Sequence, residues 1–119
     1  MIAPSSSQAP PASIRSGSDC RAVTVGSYNV ENLSLTSPHL PKVTAHIVNI
    51  LASPDLLFVQ EIQDSNGPTD DGIATADRTL SALIAAVEGR SNGTIRYRFN
   101  SVEPAAPNTD GKANGTNIR

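Results

Sequence analysis

Two polar side chains follow two apolar segments at positions where they could meet. Asn29 follows the mainly apolar residues 22–25, and Glu61 follows the apolar run 56–59. A helix-like segment separates the two runs, and a strand–helix–strand connection favours two parallel, neighbouring strands. Neighbouring strands lie about 4.8 Å apart. We therefore predict that Asn29 and Glu61 converge at the carboxyl end of a sheet, where open α/β sheets bind ligands.

These residues have the chemistry of a metal and phosphate site. A carboxylate that ends a buried strand is costly unless it is paired, solvated or bound to a cation, so Glu61 is a candidate metal ligand. Magnesium takes one or two carboxylates together with waters and phosphate oxygens, and Glu31 could supply the second. The Asn29 amide could orient a phosphate or a metal-bound water. The alternative is structural: a strand-end acid, a turn-forming asparagine and a solvated loop acid.

Three strings in order along the chain resemble the endonuclease/exonuclease/phosphatase family, which has the deoxyribonuclease-I-like fold. They are YNVEN at 28–32, QEIQD at 60–64, and the stretch 108–119 that ends in Asn117-Ile118-Arg119. The pattern is most similar to that of secreted fungal and bacterial nuclease-like members, whose third string contains more glycine. The resemblance covers residues 20–119.

The resemblance implies an α/β fold in which two packed sheets are flanked by helices. This chain would form the first half, a partial α/β sandwich with a mixed β-sheet. The implied reaction is hydrolysis of a phosphoester with Mg²⁺ or Mn²⁺. Glu61, with Asn29 and Glu31, would hold the metal, and Asn29 and Glu103 would be catalytic residues. Asn117 and Arg119 match the third string and would contact the substrate.

The resemblance also leaves alternatives open. The family's second half supplies a catalytic histidine, an Asp/Asn pair and a closing Asp-His pair, and nothing in residues 1–119 matches them. His39 and His46 lie on a predicted helix and are interpreted as ordinary helix residues. The chain could therefore be an inactive truncated fragment or a non-enzymatic α/β module. The substrate could be DNA, RNA, a lipid headgroup or a sugar phosphate.

The elements that must position these residues are predicted from hydrophobic periodicity. Period-two and continuous apolar runs predict strands at 21–29, 55–60 and 94–102, and apolar stripes predict helices at 38–52 and 75–88. Ser37 is the expected N-cap of the first helix, and Gly89 the expected terminator of the second. The apolar run 56–59 predicts a strand covered on both faces. Few aromatic residues are available as core anchors: Tyr28, Phe58, Tyr97 and Phe99.

Composition sets further bounds. The net charge of -2 gives no basic field that would attract nucleic acid. Residues 1–19, rich in Ser, Pro and Ala, predict a disordered leader or linker before a domain at 20–119. No run is long and apolar enough for a membrane span, and no signal peptide is recognised, although a full-length parent could be extracellular. The single Cys20 is a free thiol or pairs outside this chain.

Asn-x-Ser/Thr triplets occur at Asn32, Asn92 and Asn114. They arise either by chance in a chain rich in Ser, Thr and Asn, or as glycan acceptors. Because a glycan on Asn32 would interfere with the predicted site, Asn92 is the better candidate of these two.

Overall fold

The computed structural model describes residues 22–67 and 72–103. The elements in order are β1 (Val25–Leu33), α1 (Leu40–Ala45), a π-helical segment (His46–Ile50), β2 (Leu56–Ile62) and α2 (Asp77–Arg90). They form a small mixed α/β domain with a two-stranded parallel sheet. No helix in these residues is long and apolar enough to cross a bilayer. The predicted leader and the candidates Asn117 and Arg119 lie outside the described residues.

The predicted parallel pairing of β1 and β2 is confirmed. Residues 25–29 pair in order with residues 56–60, so Asn29 lies opposite Gln60. The next pair joins Leu33 to Ile62, so three residues of β1 face a single residue of β2. A bulge of this kind bends the longer strand and interrupts the alternation of its side chains. It lies at the carboxyl end of the sheet, where the sequence predicts the site.

Thr24 and Asp55 join the other ends of the two strands through reciprocal hydrogen bonds. The Asp55 carboxylate accepts bonds of 2.8 Å from both the backbone N–H and the hydroxyl of Thr24. The Thr24 hydroxyl oxygen accepts a bond of 2.9 Å from the backbone N–H of Asp55. These bonds fix the register at the end of the sheet that lies farthest from Asn29.

The first helix begins later than the sequence predicts. α1 starts at Leu40, with His39 in the N-cap position and no side-chain cap. Ser37, the predicted N-cap, instead accepts a hydrogen bond of 2.8 Å through its hydroxyl oxygen from the backbone N–H of Ser34. The predicted cap is wrong because this hydroxyl closes the turn that precedes the helix.

A π-helical turn forms the second half of this helix. The backbone N–H of Leu51 bonds to the carbonyl of His46, five residues earlier, at 2.9 Å. Ala52 and Ser53 then adopt left-handed backbone angles, with φ of +55° and +51°, and the helix does not continue. π-turns are rare and frequently occur near functional sites. This turn carries His46, which contacts β1.

α2 ends at a Schellman motif and not at the predicted terminator. Gly89 lies inside the helix, so that prediction is wrong. The backbone N–H of Asn92 bonds to the Gly89 carbonyl at 3.2 Å, and that of Gly93 bonds to the Glu88 carbonyl at 2.8 Å. Asn92 has a φ of +53°, and an asparagine can take this left-handed position at a helix end.

The core is aliphatic and lies between one face of the sheet and the helices. Tyr28 and Tyr97 pack against it, whereas Phe58 and Phe99 are exposed. The prediction that all four aromatic residues anchor the core is therefore wrong for both phenylalanines. The buried residues of the core are Val30, Leu33, Val43, Ile47, Ile62, Ala76, Leu80, Leu83 and Val87.

The opposite face of the sheet is open in the described part of the chain. Phe58 is 58% exposed, and Val25 and Leu56 on the same face are also exposed. Exposure alternates along β2, because Leu57 and Val59 turn towards the core. The apolar run of β2 predicts cover on both faces, but in the described part of the chain the helices pack against the core face and the other face stays exposed.

The predicted third strand at 94–102 does not form. No residue in this range belongs to a helix or strand. Tyr97 is half-buried while Arg96 and Arg98 are exposed, so the alternation of burial is present without backbone pairing. The Tyr97 hydroxyl donates to the carbonyl of Pro54 at 2.5 Å, which holds the segment beside the start of β2. An alternation of buried and exposed side chains distinguishes the two sides of an extended segment. A strand also needs hydrogen bonds to the backbone of a neighbouring strand.

Candidate functional site

The site is built on a hydrogen bond between Asn29 and Glu61. The Asn29 Nδ2 donates to the Glu61 Oε1 at 2.7 Å. The Asn29 Oδ1 accepts a bond of 2.8 Å from the backbone N–H of Glu31. Together these bonds fix the orientation of the amide, with its nitrogen towards the carboxylate. The two side chains that the sequence places at one end of the sheet thus make direct contact.

Glu61 reaches Asn29 because its backbone is left-handed. Asn29 and Gln60 lie opposite each other on the open face of the sheet, so strict alternation would direct the next side chain to the core face. The φ of Glu61 is +62°, which breaks that alternation. For a non-glycine residue such an angle costs about 1–2 kcal/mol. Backbone strain of this kind clusters at functional sites.

The facing strand has a matching irregularity. Glu31 and Asn32 have φ values of +58° and +55°, and both lie in the bulge of β1. The bulge brings the backbone N–H of Glu31 to Asn29, while the Glu31 side chain remains exposed. The structure thus gives Glu31 a contact to the site through its backbone. The metal-binding role of its carboxylate stays a prediction.

A second pair lies behind the site, on the helix side of β1. The Tyr28 hydroxyl and the Nδ1 of His46 are 2.7 Å apart, and their rings are 5.9 Å apart at their centroids. Burial, and after it the charge of Glu31, raises the pKa of the Tyr28 phenol above its ordinary value. The Nε2 of His39 lies 3.0 Å from the carbonyl of Val30. Both histidines therefore join the first helical region to β1.

Asp64, the last residue of the QEIQD string, and Ser65 hold the end of β2, and neither was predicted as a site residue. The Ser65 hydroxyl donates to the Thr75 carbonyl at 2.8 Å, and its oxygen accepts from the backbone N–H of Arg78 at 3.2 Å. The hydroxyl of Thr79 donates to the carbonyl of the buried Asp64 at 3.0 Å. These bonds tie the segment after Glu61 to the first turn of α2. A turn-forming Asp-Ser pair at the end of the QEIQD string is the signal that could have identified them.

Of the remaining predicted site residues, the structure describes Glu103. The Glu103 carboxylate accepts a hydrogen bond from the hydroxyl of Ser101. The catalytic role predicted for Glu103 stays a prediction. Asn117 and Arg119 lie outside the described residues, so their predicted roles stay predictions.

The donor set suits some cations better than others. Within residues 22–67 and 72–103, no group of three His, Cys, Asp or Glu side chains is placed to hold a metal ion. A structural zinc site needs such a set. Magnesium needs only one or two carboxylates and completes its shell with water and phosphate oxygens. The Glu61 carboxylate beside the Asn29 amide therefore fits Mg²⁺ or Mn²⁺ and does not make a zinc site.

No protein-family model, curated protein or solved structure matches this chain. The family resemblance of the three strings stays a prediction, and the arguments about function rest on the geometry of the site.

Proposed function

We propose that this chain carries the metal- and phosphate-binding first half of the site of a divalent-metal-dependent phosphoester hydrolase, of the endonuclease/exonuclease/phosphatase type. The observation that carries the proposal is the 2.7 Å contact between Asn29 and Glu61, at the point where the regular pairing of the two parallel strands ends. A carboxylate and an amide in contact at a strand end are the groups that a hydrated cation and a phosphate require.

The backbone at the site also supports a functional role over a purely structural one. Glu61 would meet no strain with a right-handed or extended backbone, and its bond to Asn29 is exposed. A hydrogen bond to a charged group contributes about 1.5–3 kcal/mol, and the cost of the left-handed angle, about 1–2 kcal/mol, offsets most of it. Stability alone therefore gives little reason for the arrangement.

Each residue of the pair has a distinct part in this proposal. Glu61 and a water shell would hold Mg²⁺ or Mn²⁺, and a metal bound there supplies charge stabilisation to a phosphoryl oxygen. Asn29, oriented by the backbone N–H of Glu31, places its amide nitrogen at the carboxylate and has a second N–H that could donate to a phosphate oxygen. Glu31 adds negative charge near the pair.

The competing proposal is a chain without catalysis, either an inactive fragment or a binding module. Positioned acid–base groups typically contribute about 10²–10⁴-fold to rate, and each preorganised donor about 10²–10³-fold. No residue of the chain matches the family's histidine or Asp-His pair. We therefore expect metal binding without useful turnover of DNA or bis(p-nitrophenyl) phosphate. Robust hydrolysis that Glu61→Ala abolishes would show that this expectation is wrong.

Calorimetric titration of the folded chain with MgCl₂ tests the proposal. We expect weak binding in the wild type, no binding heat in Glu61→Gln, and unchanged heat in Glu88→Gln. Glu88 is a matched control because it lies on α2, away from the sheet. Its carboxylate contacts Arg96 at 3.1 Å. Equal heats for the wild type and Glu61→Gln would contradict the proposal.

The side-chain amide signals of Asn29 provide a second readout by nuclear magnetic resonance. If Mg²⁺ binds at Glu61, these signals shift during the titration, because the amide nitrogen lies 2.7 Å from the carboxylate oxygen. Inorganic phosphate added with the metal should shift them further. Signals that stay in place while heat is released would put the bound metal elsewhere.

A further inference from the structure

We propose that Asn92 is a glycan acceptor, and that the folded domain accommodates a glycan at this position but not at Asn32. Both residues begin an Asn-x-Ser/Thr triplet, which is the acceptor pattern for N-glycosylation. Their surroundings in the fold are opposite in character. This inference does not depend on the proposed hydrolase function.

The triplet at Asn92 is open to solvent throughout. Asn92, Gly93 and Thr94 are all exposed. Asn92 occupies the left-handed position of the Schellman motif, where its backbone bonds to Gly89 and its side chain projects from the end of α2. A Cβ atom placed on Gly93 would have no atom within 4 Å. The turn is therefore not packed against the rest of the described chain at this position.

The triplet at Asn32 is mostly buried, with Asn32 itself half-buried. The Oδ1 of Asn32 is buried, Leu33 is fully buried, and Ser34 is buried as well. The Leu33 carbonyl accepts a backbone hydrogen bond of 2.8 Å from Gln63, which ties this triplet to the end of β2. A glycan on the Asn32 amide would have to displace these packed residues. The two triplets of one chain thus form a matched pair, one open and one closed.

A glycan at Asn92 would also lie far from the candidate site. The start of α2 is tied to the end of β2 through the Ser65–Arg78 bond. The helix is 14 residues long, which corresponds to about 21 Å. Beyond it, Tyr97 bonds to Pro54 beside the start of β2. Asn92 therefore lies towards the end of the sheet opposite the contact of Asn29 with Glu61.

The modification needs one co-reactant, an oligosaccharide linked to a lipid diphosphate. The Asn92 Nδ2 forms a bond to the anomeric carbon of the sugar, and the bond from that carbon to the phosphate oxygen breaks. The lipid diphosphate leaves with the electron pair, and an acid–base group of the oligosaccharyltransferase takes one amide proton. No oxidant or reductant takes part.

Peptide mapping of the full chain tests this inference, after the chain is directed into the secretory pathway of a eukaryotic cell by a cleavable signal peptide. Trypsin separates the three triplets into the peptides 22–42, 91–96 and 113–119. Enzymatic deglycosylation in heavy-oxygen water then converts each glycosylated asparagine into a labelled aspartate. We expect the label in peptide 91–96 and none in peptide 22–42 of the secreted chain.

Two variants of Thr94 supply the controls. Thr94→Ser keeps the acceptor pattern and should keep the label, whereas Thr94→Ala should remove it. The exposed Thr94 hydroxyl donates to the Ser91 carbonyl at 2.7 Å, a bond that serine can keep and alanine removes. Without a glycan, Thr94→Ser should therefore unfold at the temperature of the wild type, and Thr94→Ala slightly below it. An unlabelled peptide 91–96 in both the secreted and the intracellular chain would overturn the proposal. A labelled peptide 22–42 in the secreted chain would overturn it as well.

Discussion

At the scale of single residues, the left-handed backbone is the feature that distinguishes the site from an ordinary strand end. Asn32 and Asn92 are residue types that tolerate φ near +55°, but Glu31, Ala52, Ser53 and Glu61 take similar angles without that preference. Two of these four lie at the candidate site. The other two follow the π-helical segment, where the chain turns into β2.

Replacing Ala52 by glycine should stabilise the domain. Ala52 is exposed with φ of +55°. Glycine would relieve about 1–2 kcal/mol of backbone strain at this angle, which exceeds the roughly 0.5–1 kcal/mol that its greater backbone entropy in the unfolded chain costs. We expect the free energy of unfolding in urea to rise by about 0.5–1 kcal/mol. The matched control is Ala85→Gly, on the exposed side of α2, which should lower it by about 1 kcal/mol. A loss of stability in both variants would show that the angle at Ala52 carries no strain.

Tyr97 should make stability depend on pH in the alkaline range. Burial, and after it the charge of Asp55, raises the pKa of this phenol above its ordinary value of 10.0. Because the folded chain holds the phenol proton to higher pH than the unfolded chain, the raised pKa contributes stability, and this stability is complete at a pH below the ordinary pKa. It is lost as the pH rises through the folded pKa.

Urea unfolding at about pH 8 and about pH 11 measures this effect. The wild type should lose stability between the two values, and Tyr97→Phe should lose less, because phenylalanine has no proton to release. The variant should also be less stable at the lower pH, since it lacks the bond to the Pro54 carbonyl. An identical pH-dependent loss in the two proteins would exclude Tyr97 as its source.

At the scale of elements, the sheet has a covered face and an open face, and the two should respond differently to truncation. Leu33 is fully buried in the core, whereas Phe58 is 58% exposed on the open face. The apolar run of β2 alone predicts a core position for Phe58. Burial, and not residue type, determines the stability lost when a side chain is removed.

Leu33→Ala should therefore lower the free energy of unfolding by about 2–5 kcal/mol, which is typical for a buried leucine. Phe58→Ala should lower it by roughly 0.5 kcal/mol or less, as most exposed substitutions do. Tyrosine fluorescence during urea unfolding can follow both variants, since the chain has no tryptophan. Similar losses for the two variants would indicate that the open face is covered in solution.

At the scale of the whole molecule, the open face is an exposed apolar surface. Val25, Leu56 and Phe58 lie side by side on it, and the described sheet presents unpaired strand edges. Surfaces and edges of this kind promote association between chains. We expect the purified chain to self-associate as its concentration rises.

Replacing Val25 and Phe58 together by threonine should reduce that association. Light scattering during size-exclusion chromatography gives the mass of the species at several concentrations. Val102→Thr is the control, because Val102 is 91% exposed but does not lie on the sheet. If the double variant and the control associate to the same extent as the wild type, the open face is not the contact surface.

The sequence by itself determined the two strands that lead to Asn29 and Glu61, their parallel pairing, and both helices to within a few residues. These features depend on local periodicity and on the handedness of a strand–helix–strand connection, which the order of residues contains. The same reasoning placed Asn29 and Glu61 near one end of the sheet, although strict alternation would put their side chains on opposite faces.

Only the tertiary structure decided how that contact is made. The bulge in β1 and the left-handed angle at Glu61 depend on how two strands fit against each other, and no local pattern of residues specifies that fit. The apolar run of β2 is consistent with cover on both faces of the strand. The alternation at 94–102 is consistent with a strand that pairs with a neighbour. Whether such a segment is covered or paired depends on what packs beside it in the folded chain. In residues 22–67 and 72–103, the helices cover one face of the sheet, and no strand pairs with Tyr97 and its neighbours.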